Sequence, residues 1–199
     1  MNDQDKNLQA YLNDMYGVEK HTLEAVKRQL DHKDVQNKPQ AHQLIQRIQS
    51  TLEQHTMLLD QRLDKFGGRS AVKSAVSSVT GAVAGAYDQV RTETVSSMLR
   101  DDYTALSMVA IANTMLHTTA LSLHDQVTAN MAMQHLKDVT PLITEISKVI
   151  PVITVQDVHD DVESADTSVA QQAVRNTQQA WEPDHVNQMS TNKAYAMAD

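Results

Sequence analysis

Four ionisable side chains lie in the middle of apolar stripes along four helical patterns in this sequence. A helix turns about 100° per residue, so positions three and four apart share one face. This spacing places Glu19, His55, Asp102 and His135 on the inward faces of four different helices, with Asp138 at the edge of the face that bears His135. Carboxylates and imidazoles are side chains that bind Zn, Fe and Mn. We therefore consider these five residues candidate ligands of a buried metal site.

Each of these residues also has a purely structural interpretation. A single inward histidine is more often a hydrogen-bonded core residue than a metal ligand. A buried carboxylate without a partner costs of the order of several kcal/mol, so it must be paired or neutralised. Two carboxylates and two imidazoles that converge are therefore expected either to bind a metal ion or to satisfy one another as a buried polar network.

The two halves of the pattern repeat one spacing. The offset from Glu19 to His55 is 36 residues, and the offset from Asp102 to Asp138 is the same. Two equivalent helix pairs would give this repeat, and it favours a site shared by both pairs. Two further inward polar residues, Asn113 and His117, are expected to be polar members of the core.

Four amphipathic patterns predict the long helices that position these residues. Apolar residues recur at three- and four-residue spacings through each pattern. Pro39 suits the first turn of the second helix, and the glycines at 67–68 end it. Pro141 is expected to kink or interrupt the fourth helix. The predicted helices span residues 5–31, 39–66, 92–124 and 127–150.

The connection between the second and third helices, residues 67–91, is long. Its length predicts two antiparallel hairpins joined by a crossover, which is the ferritin-like form of an all-α four-helix bundle. Residues 70–87 are rich in Ala, Val and Ser and predict an extra short helical segment that lies on the bundle. A membrane-surface helix is the alternative for this segment, and the lack of a basic face disfavours it.

The sequence predicts two regions, a bundle over 1–155 and a C-terminal tail over 156–199. The tail is acidic and Gln-rich, with eight carboxylates against two basic side chains, a net charge of −6 out of −8 for the chain. Residues 164–180 predict one more amphipathic helix, and the rest of the tail is expected to be mobile or to contact a partner chain through Trp181.

Composition excludes several classes of function. The chain of 199 residues has no cysteine, which excludes disulfides, thiolate metal sites and cysteine nucleophiles. No basic stripe is present, so nucleic-acid binding is not expected. No stretch of about 18 apolar residues predicts a membrane-spanning helix. The N-terminus lacks the apolar region of a secretory signal, so the expected location is the cytoplasm.

The segment LNDMYGVEKHTLEAV, residues 12–26, resembles the first helix of the YciF-type bacterial stress proteins of the ferritin-like superfamily. Proteins of that superfamily place a Glu on the first helix and Glu-x-x-His on the second, and repeat this on the third and fourth. Here Glu19 and Leu52-x-x-His55 are followed by Asp102 and His135-x-x-Asp138. The chain thus departs from the superfamily pattern at Leu52 and in the order of His135 and Asp138.

This resemblance, which extends over roughly residues 8–155, implies a small cytoplasmic protein, usually dimeric and associated with stress. Our first hypothesis within that family is a metal-binding protein whose ion, Zn, Fe or Mn, is held by Glu19, His55, Asp102, His135 and, at the edge of the face, Asp138. Because Leu52 cannot bind metal, one ion is expected rather than two. Oxidation or peroxide chemistry is conceivable, but no catalytic motif is present. The alternative is a metal-free structural or partner-binding homodimer whose inward polar residues form a buried network.

Overall fold

A computed structural model describes residues 3–68 and 94–180, and throughout these two ranges the regular secondary structure is helical, with no strand. The predicted all-α class is confirmed. A single turn of 3-10 helix, Thr167–Val169, precedes the last described helix. The α-helices are α1 Asp3–Leu30, α2 Lys33–Gln36, α3 Pro39–Asp64, α4 Val95–Ser122, α5 Gln126–Asp161 and α6 Ala170–Ala180.

The helix ends follow local sequence signals. Pro39 begins α3, where its missing N–H costs no hydrogen bond. Gly67 and Gly68 end α3 with φ values of 93° and 84°, a left-handed backbone that glycine adopts without strain. Asp125 caps α5 by accepting a hydrogen bond from the Thr128 N–H.

Each of the four long helices packs against two others: α1 contacts α3 and α4, and α5 contacts α3 and α4. The side-chain contacts show that these neighbours are antiparallel. Gln9, near the start of α1, donates hydrogen bonds to the carbonyls of Phe66 and Gly68, just after α3. His117, late in α4, contacts the Ala129 carbonyl early in α5. Gln29, near the end of α1, donates to Asp102, near the start of α4, so these two helices are antiparallel as well. It follows that α3 and α4 run in the same direction.

The apolar faces of the four long helices form one core between them. Leu12, Leu52, Leu106 and Ile146 are fully buried examples from α1, α3, α4 and α5. Among the described helices, none is long and apolar enough to cross a bilayer. The predicted crossover lies outside the described residues except for its first two positions, and so does Trp181.

The prediction for the fourth helix is wrong at its end. α5 continues through Pro141 without a break and ends at Asp161, not near residue 150. Pro141 lies on the exposed side of α5, so water can replace the donor that the Lys137 carbonyl loses there. Ile153 and Asp157 are buried, which ties this extension to the core.

The tail begins later than the composition indicates, because the last turns of α5 belong to the packed body. Lys38, just before α3, places its ammonium 3.1 Å from Asp157 and 2.5 Å from Asp160. The helix predicted over 164–180 corresponds to α6, which packs on α5 and buries none of its residues.

Two truncations should therefore behave differently. Deleting 160–199 is expected to leave a folded body with cooperative thermal unfolding, because Asp157 remains to pair with the buried Lys38. Deleting 151–199 also removes Ile153 and Asp157, which exposes part of the core and leaves the Lys38 ammonium unpaired. The free energy of unfolding should fall by about 3 kcal/mol or more, by analogy with other broken buried pairs. Circular dichroism melts of both variants test this. A shorter chain that melts like the longer one would show that the end of α5 adds nothing to the body.

Candidate metal centre

Three of the five candidate ligands meet inside the protein. Glu19 from α1, His55 from α3 and His135 from α5 are at most 1% exposed. One potential ligand atom from each lies within 4.8 Å of the other two. The sequence prediction that inward carboxylate and imidazole groups converge is therefore realised by these three residues, which come from three different helices.

The carboxylate of Glu19 stands between the two imidazoles. Its Oε1 lies 3.5 Å from His55 Nδ1 and 3.5 Å from His135 Nδ1. The two rings are stacked, with centroids 3.7 Å apart and parallel planes. From α4, Asn113 Nδ2 donates to the same Oε1 at 3.2 Å and to the Val109 carbonyl at 3.1 Å. Helix α4 thus supports the Glu19 carboxylate through the Asn113 amide and supplies no ionisable ligand to this cluster.

Several atoms of this cluster have no hydrogen-bond partner among the described residues: Glu19 Oε2, His55 Nδ1, and both ring nitrogens of His135. Buried polar atoms are nearly always paired, and an unpaired one costs about 1–3 kcal/mol. The contacts of 3.5 Å with Glu19 bring charge close but do not have hydrogen-bond geometry. One ion among these residues would supply a partner for one atom of each.

The electrostatics of Glu19 favour its ionised form. Burial raises the pKa of this carboxyl, but the close contacts with His135 and His55 together lower it by more than burial raises it. The net pKa is therefore below the ordinary value. A carboxylate that is ionised in the apolar interior is what a cation requires. Two imidazoles and one carboxylate are a ligand set suited to Zn, Fe(II) and Mn, and the set leaves coordination positions open.

Asp138 lies beside this cluster and not inside it. Its Oδ2 is 3.3 Å from His55 Nε2, the ring nitrogen other than the one that faces Glu19. Its Oδ1 accepts a hydrogen bond from Gln134, and its side chain is 36% exposed. Metal-binding histidines commonly donate their second N–H to a carboxylate, which fixes ring orientation. The structure therefore places Asp138, a predicted ligand, beside His55 and outside the three-residue cluster, in a position from which a carboxylate could orient the ring.

The structure places Asp102 outside the centre formed by Glu19, His55 and His135, so it does not bring this predicted ligand to the other three. Asp102 accepts a hydrogen bond from Gln29, ten residues beyond Glu19 on α1, which is about 15 Å along a helix. The residue of α4 at the level of Glu19 is Asn113. Equal offsets along the sequence misplace Asp102 because the centre lies at different distances from the two hairpin turns. The offset from Glu19 to His55 is 36 residues, but the offset from Asn113 to His135 is only 22.

Two buried amides that contact the candidate ligands complete this picture. Asn113 is fully buried, which agrees with its prediction as a polar member of the core, but its hydrogen bond to Glu19 is not apparent from the sequence. Gln29 is missed altogether. Its position three residues after the buried Val26 is the signal that could have placed it on the inner face of α1.

The chain matches no family model, no curated protein and no solved structure. The resemblance to ferritin-like proteins therefore rests on residues 12–26 and on the placement of inward ligands, and it enters below as part of a proposal.

Proposed function

We propose that this protein is a small cytoplasmic metal-binding protein with a ferritin-like four-helix bundle, and that one ion of Zn, Fe(II) or Mn binds to Glu19, His55 and His135. The observation that supports the proposal is the burial of these three ligands with their atoms within 4.8 Å of one another. The association with bacterial stress follows from the resemblance of residues 12–26 to the YciF-type proteins.

The directions of the long helices support the ferritin-like part of the proposal. An up-down-up-down bundle has short links between all successive helices, whereas α3 and α4 run the same way and are joined by residues 69–93. Two antiparallel hairpins with one long crossover are the ferritin-like arrangement. The ligand set differs from a two-metal site of that class, because Leu52, Asn113 and Ala132 stand where three further carboxylates would be needed.

Residues around the three ligands have distinct supporting roles in this proposal. Asp138 fixes the orientation of His55, and Asn113 fixes Glu19 Oε1. The buried apolar surroundings, including Leu52, keep water away and strengthen the attraction between the carboxylate and a cation. When bound, the ion would supply Lewis acidity at a buried position.

A metal-free network is the second candidate, and the stacking of the imidazoles favours it. Because the rings are parallel, the lone pairs of His55 Nδ1 and His135 Nδ1 lie in two separate parallel planes, whereas one ion needs them to converge on a single point. Metal binding therefore requires at least one ring to turn about χ2, a torsion with a broad energy minimum. In the network, Glu19 and the two histidines interact with one another and no ion is bound.

The outer face of α4 supports a homodimer. Residues 103–123 contain no Asp, Glu, Lys or Arg, and Ile111 and Met115 are 64% and 52% exposed. An uncharged face is compatible with itself, as a twofold contact requires. Sedimentation at micromolar concentration should give twice the chain mass, and changing Ile111 to Glu should give the single mass; a monomeric native protein rules the dimer out.

A titration with Zn, Mn and anaerobic Fe(II) tests the proposed function. The native protein should bind one ion per chain, and Asp138→Asn should weaken that binding about 10- to 100-fold without abolishing it, since the change removes the carboxylate that orients His55. Glu53→Gln is the matched control, because Glu53 lies two positions from His55 on the exposed side and pairs with Lys27. Equal affinities for all three proteins would exclude a role for Asp138, and no saturable binding to any of them would exclude the function.

A further inference from the structure

Gln29 and Asp102 form a second buried polar pair, between the end of α1 and the start of α4. They are 9% and 1% exposed, and Gln29 Nε2 donates to Asp102 Oδ1 at 2.9 Å. The other oxygen of each side chain, Gln29 Oε1 and Asp102 Oδ2, is buried and has no hydrogen-bond partner among the described residues. Both atoms are acceptors when Asp102 is ionised, so neither can satisfy the other.

One proton would complete the pair. A protonated carboxyl has one donor and one acceptor, as a carboxamide does, so an acid and an amide can exchange two hydrogen bonds in a planar ring. We propose that Asp102 is a proton-binding site: in the folded protein it is a neutral acid that donates from Oδ2 to Gln29 Oε1 and accepts from Gln29 Nε2 at Oδ1, and this pair fastens α1 to α4 in a pH-dependent way.

The charges around the pair favour the neutral acid. Asp101, the preceding residue of α4, pairs with Arg100, and its negative charge opposes ionisation of Asp102. Counting residues along α3 and α5 from His55 and His135 places Ile45 and Ile146 at the same height as the pair. Both are buried and apolar. Among the residues that the structure describes, the other charged groups near this level are exposed or paired with each other: Lys27 and Arg28 on α1, Arg47 with Glu145 between α3 and α5, and Lys38 with Asp157 near Ser96.

Burial raises the pKa of Asp102 to about 7 from 3.8; the hydrogen bond from Gln29 opposes this shift and the charge of Asp101 adds to it. A carboxyl whose pKa is higher in the folded chain binds its proton more tightly there. Its contribution to stability is therefore complete below the unfolded pKa, is lost as the pH rises towards the folded pKa, and stays constant above it.

The test compares the native protein with Asp102→Asn. Asparagine has the shape and the donor of the neutral acid, so the variant should keep both hydrogen bonds at every pH. Urea unfolding of both proteins is measured between about pH 4 and pH 8. The ratio of the native to the variant folding constant should fall about tenfold per pH unit up to a pH of about 7, and then level off. Asp101→Asn, the same change at the neighbouring, partly exposed position, should keep the fall but end it at a slightly lower pH, because it removes a negative charge that opposes ionisation of Asp102.

Infrared spectra of the native protein give a second test that needs no variant to fold. The absorption band of a protonated carboxyl should be present at about pH 6, and it should disappear as the pH rises above the pKa of Asp102. The spectrum of Asp102→Asn should lack this band. Parallel stability curves for the two proteins, or a native spectrum without the acid band at pH 6, would overturn the proposal. Stability that rises instead with added Na⁺ or K⁺ would show that a cation, and not a proton, lies between the two oxygens.

Discussion

Replacing Glu19 or His55 with Leu should remove all stabilisation of the protein by metal ions. An ion that binds only the folded state at 100 times its dissociation constant adds about 2.7 kcal/mol. For a chain of this size that gain corresponds to a rise of about 5–10 °C in Tm. Each single variant should lose the whole rise, since Glu19 supplies the only carboxylate and His55 one of the two imidazoles of the three-residue cluster. Differential scanning calorimetry with and without Zn, Mn and Fe(II) measures it.

The double variant distinguishes the ion from the metal-free network. If the residues form only a network, a single change strands a buried partner, and the change of both to Leu should recover much of the lost stability. Metal would then change no melting temperature, including that of the native protein. If they bind an ion, the double variant should resemble the single ones and stay insensitive to metal. Comparing each protein with itself, with and without the ion, separates ligand loss from any effect on folding.

Lys38→Met should be among the most destabilising substitutions in the chain, costing about 3–5 kcal/mol. The Lys38 and Asp157 side chains are 9% and 8% exposed, and Asp157 also accepts a hydrogen bond from the Ser96 N–H at the start of α4. Burial lowers the pKa of Lys38, but the contacts with Asp160 and Asp157 raise it more, so its ammonium stays charged. Removing the ammonium leaves a buried carboxylate without a counterion. Denaturant unfolding measures the loss.

Two further variants make this result specific. Lys38→Met combined with Asp157→Asn removes both charges and keeps an acceptor for Ser96, so it should recover much of the loss. Arg47→Met breaks a pair that also links this region to α5, but Arg47 and Glu145 are 54% and 37% exposed, so the cost should stay below about 1 kcal/mol. A loss from Lys38→Met no larger than that from Arg47→Met would contradict the importance of the buried pair.

Helical periodicity predicts which segments are helices and which face of each helix points inward. It does not predict which residues of neighbouring helices lie at the same height along the bundle. The sequence places Glu19, His55 and His135 on inward faces, and the structure brings them together because the stripe on each helix fixes rotation about its axis. The same reasoning places Asp102 inward, and it is buried. Its distance from the others depends on how far each helix is displaced along its axis, which depends on the lengths of the connections and on packing. No spacing within a single helix contains that information.

The end of α5 shows a second limit. The apolar pattern weakens after residue 150 and acidic residues follow, so composition predicts a tail. Asp157 is nevertheless buried, because Lys38, more than a hundred residues earlier in the chain, neutralises it. A pairing between residues so distant in sequence is decided by tertiary packing. Asn113 is similar: its inward position is predictable, but its hydrogen bond to Glu19 depends on how α1 and α4 pack.

Metal content after equilibrium dialysis tests the central claim most directly. The native protein is dialysed against each of Zn, Mn and anaerobic Fe(II) with a weak competing chelator, and the bound ion is counted by mass spectrometry. At least one of these metals should remain at one ion per chain, and the nearly isosteric variant Glu19→Gln should retain none, because an amide cannot supply the charge that the buried cation needs. A native protein that retains none of the three metals, or a Glu19→Gln variant that retains as much as the native protein, would contradict the account.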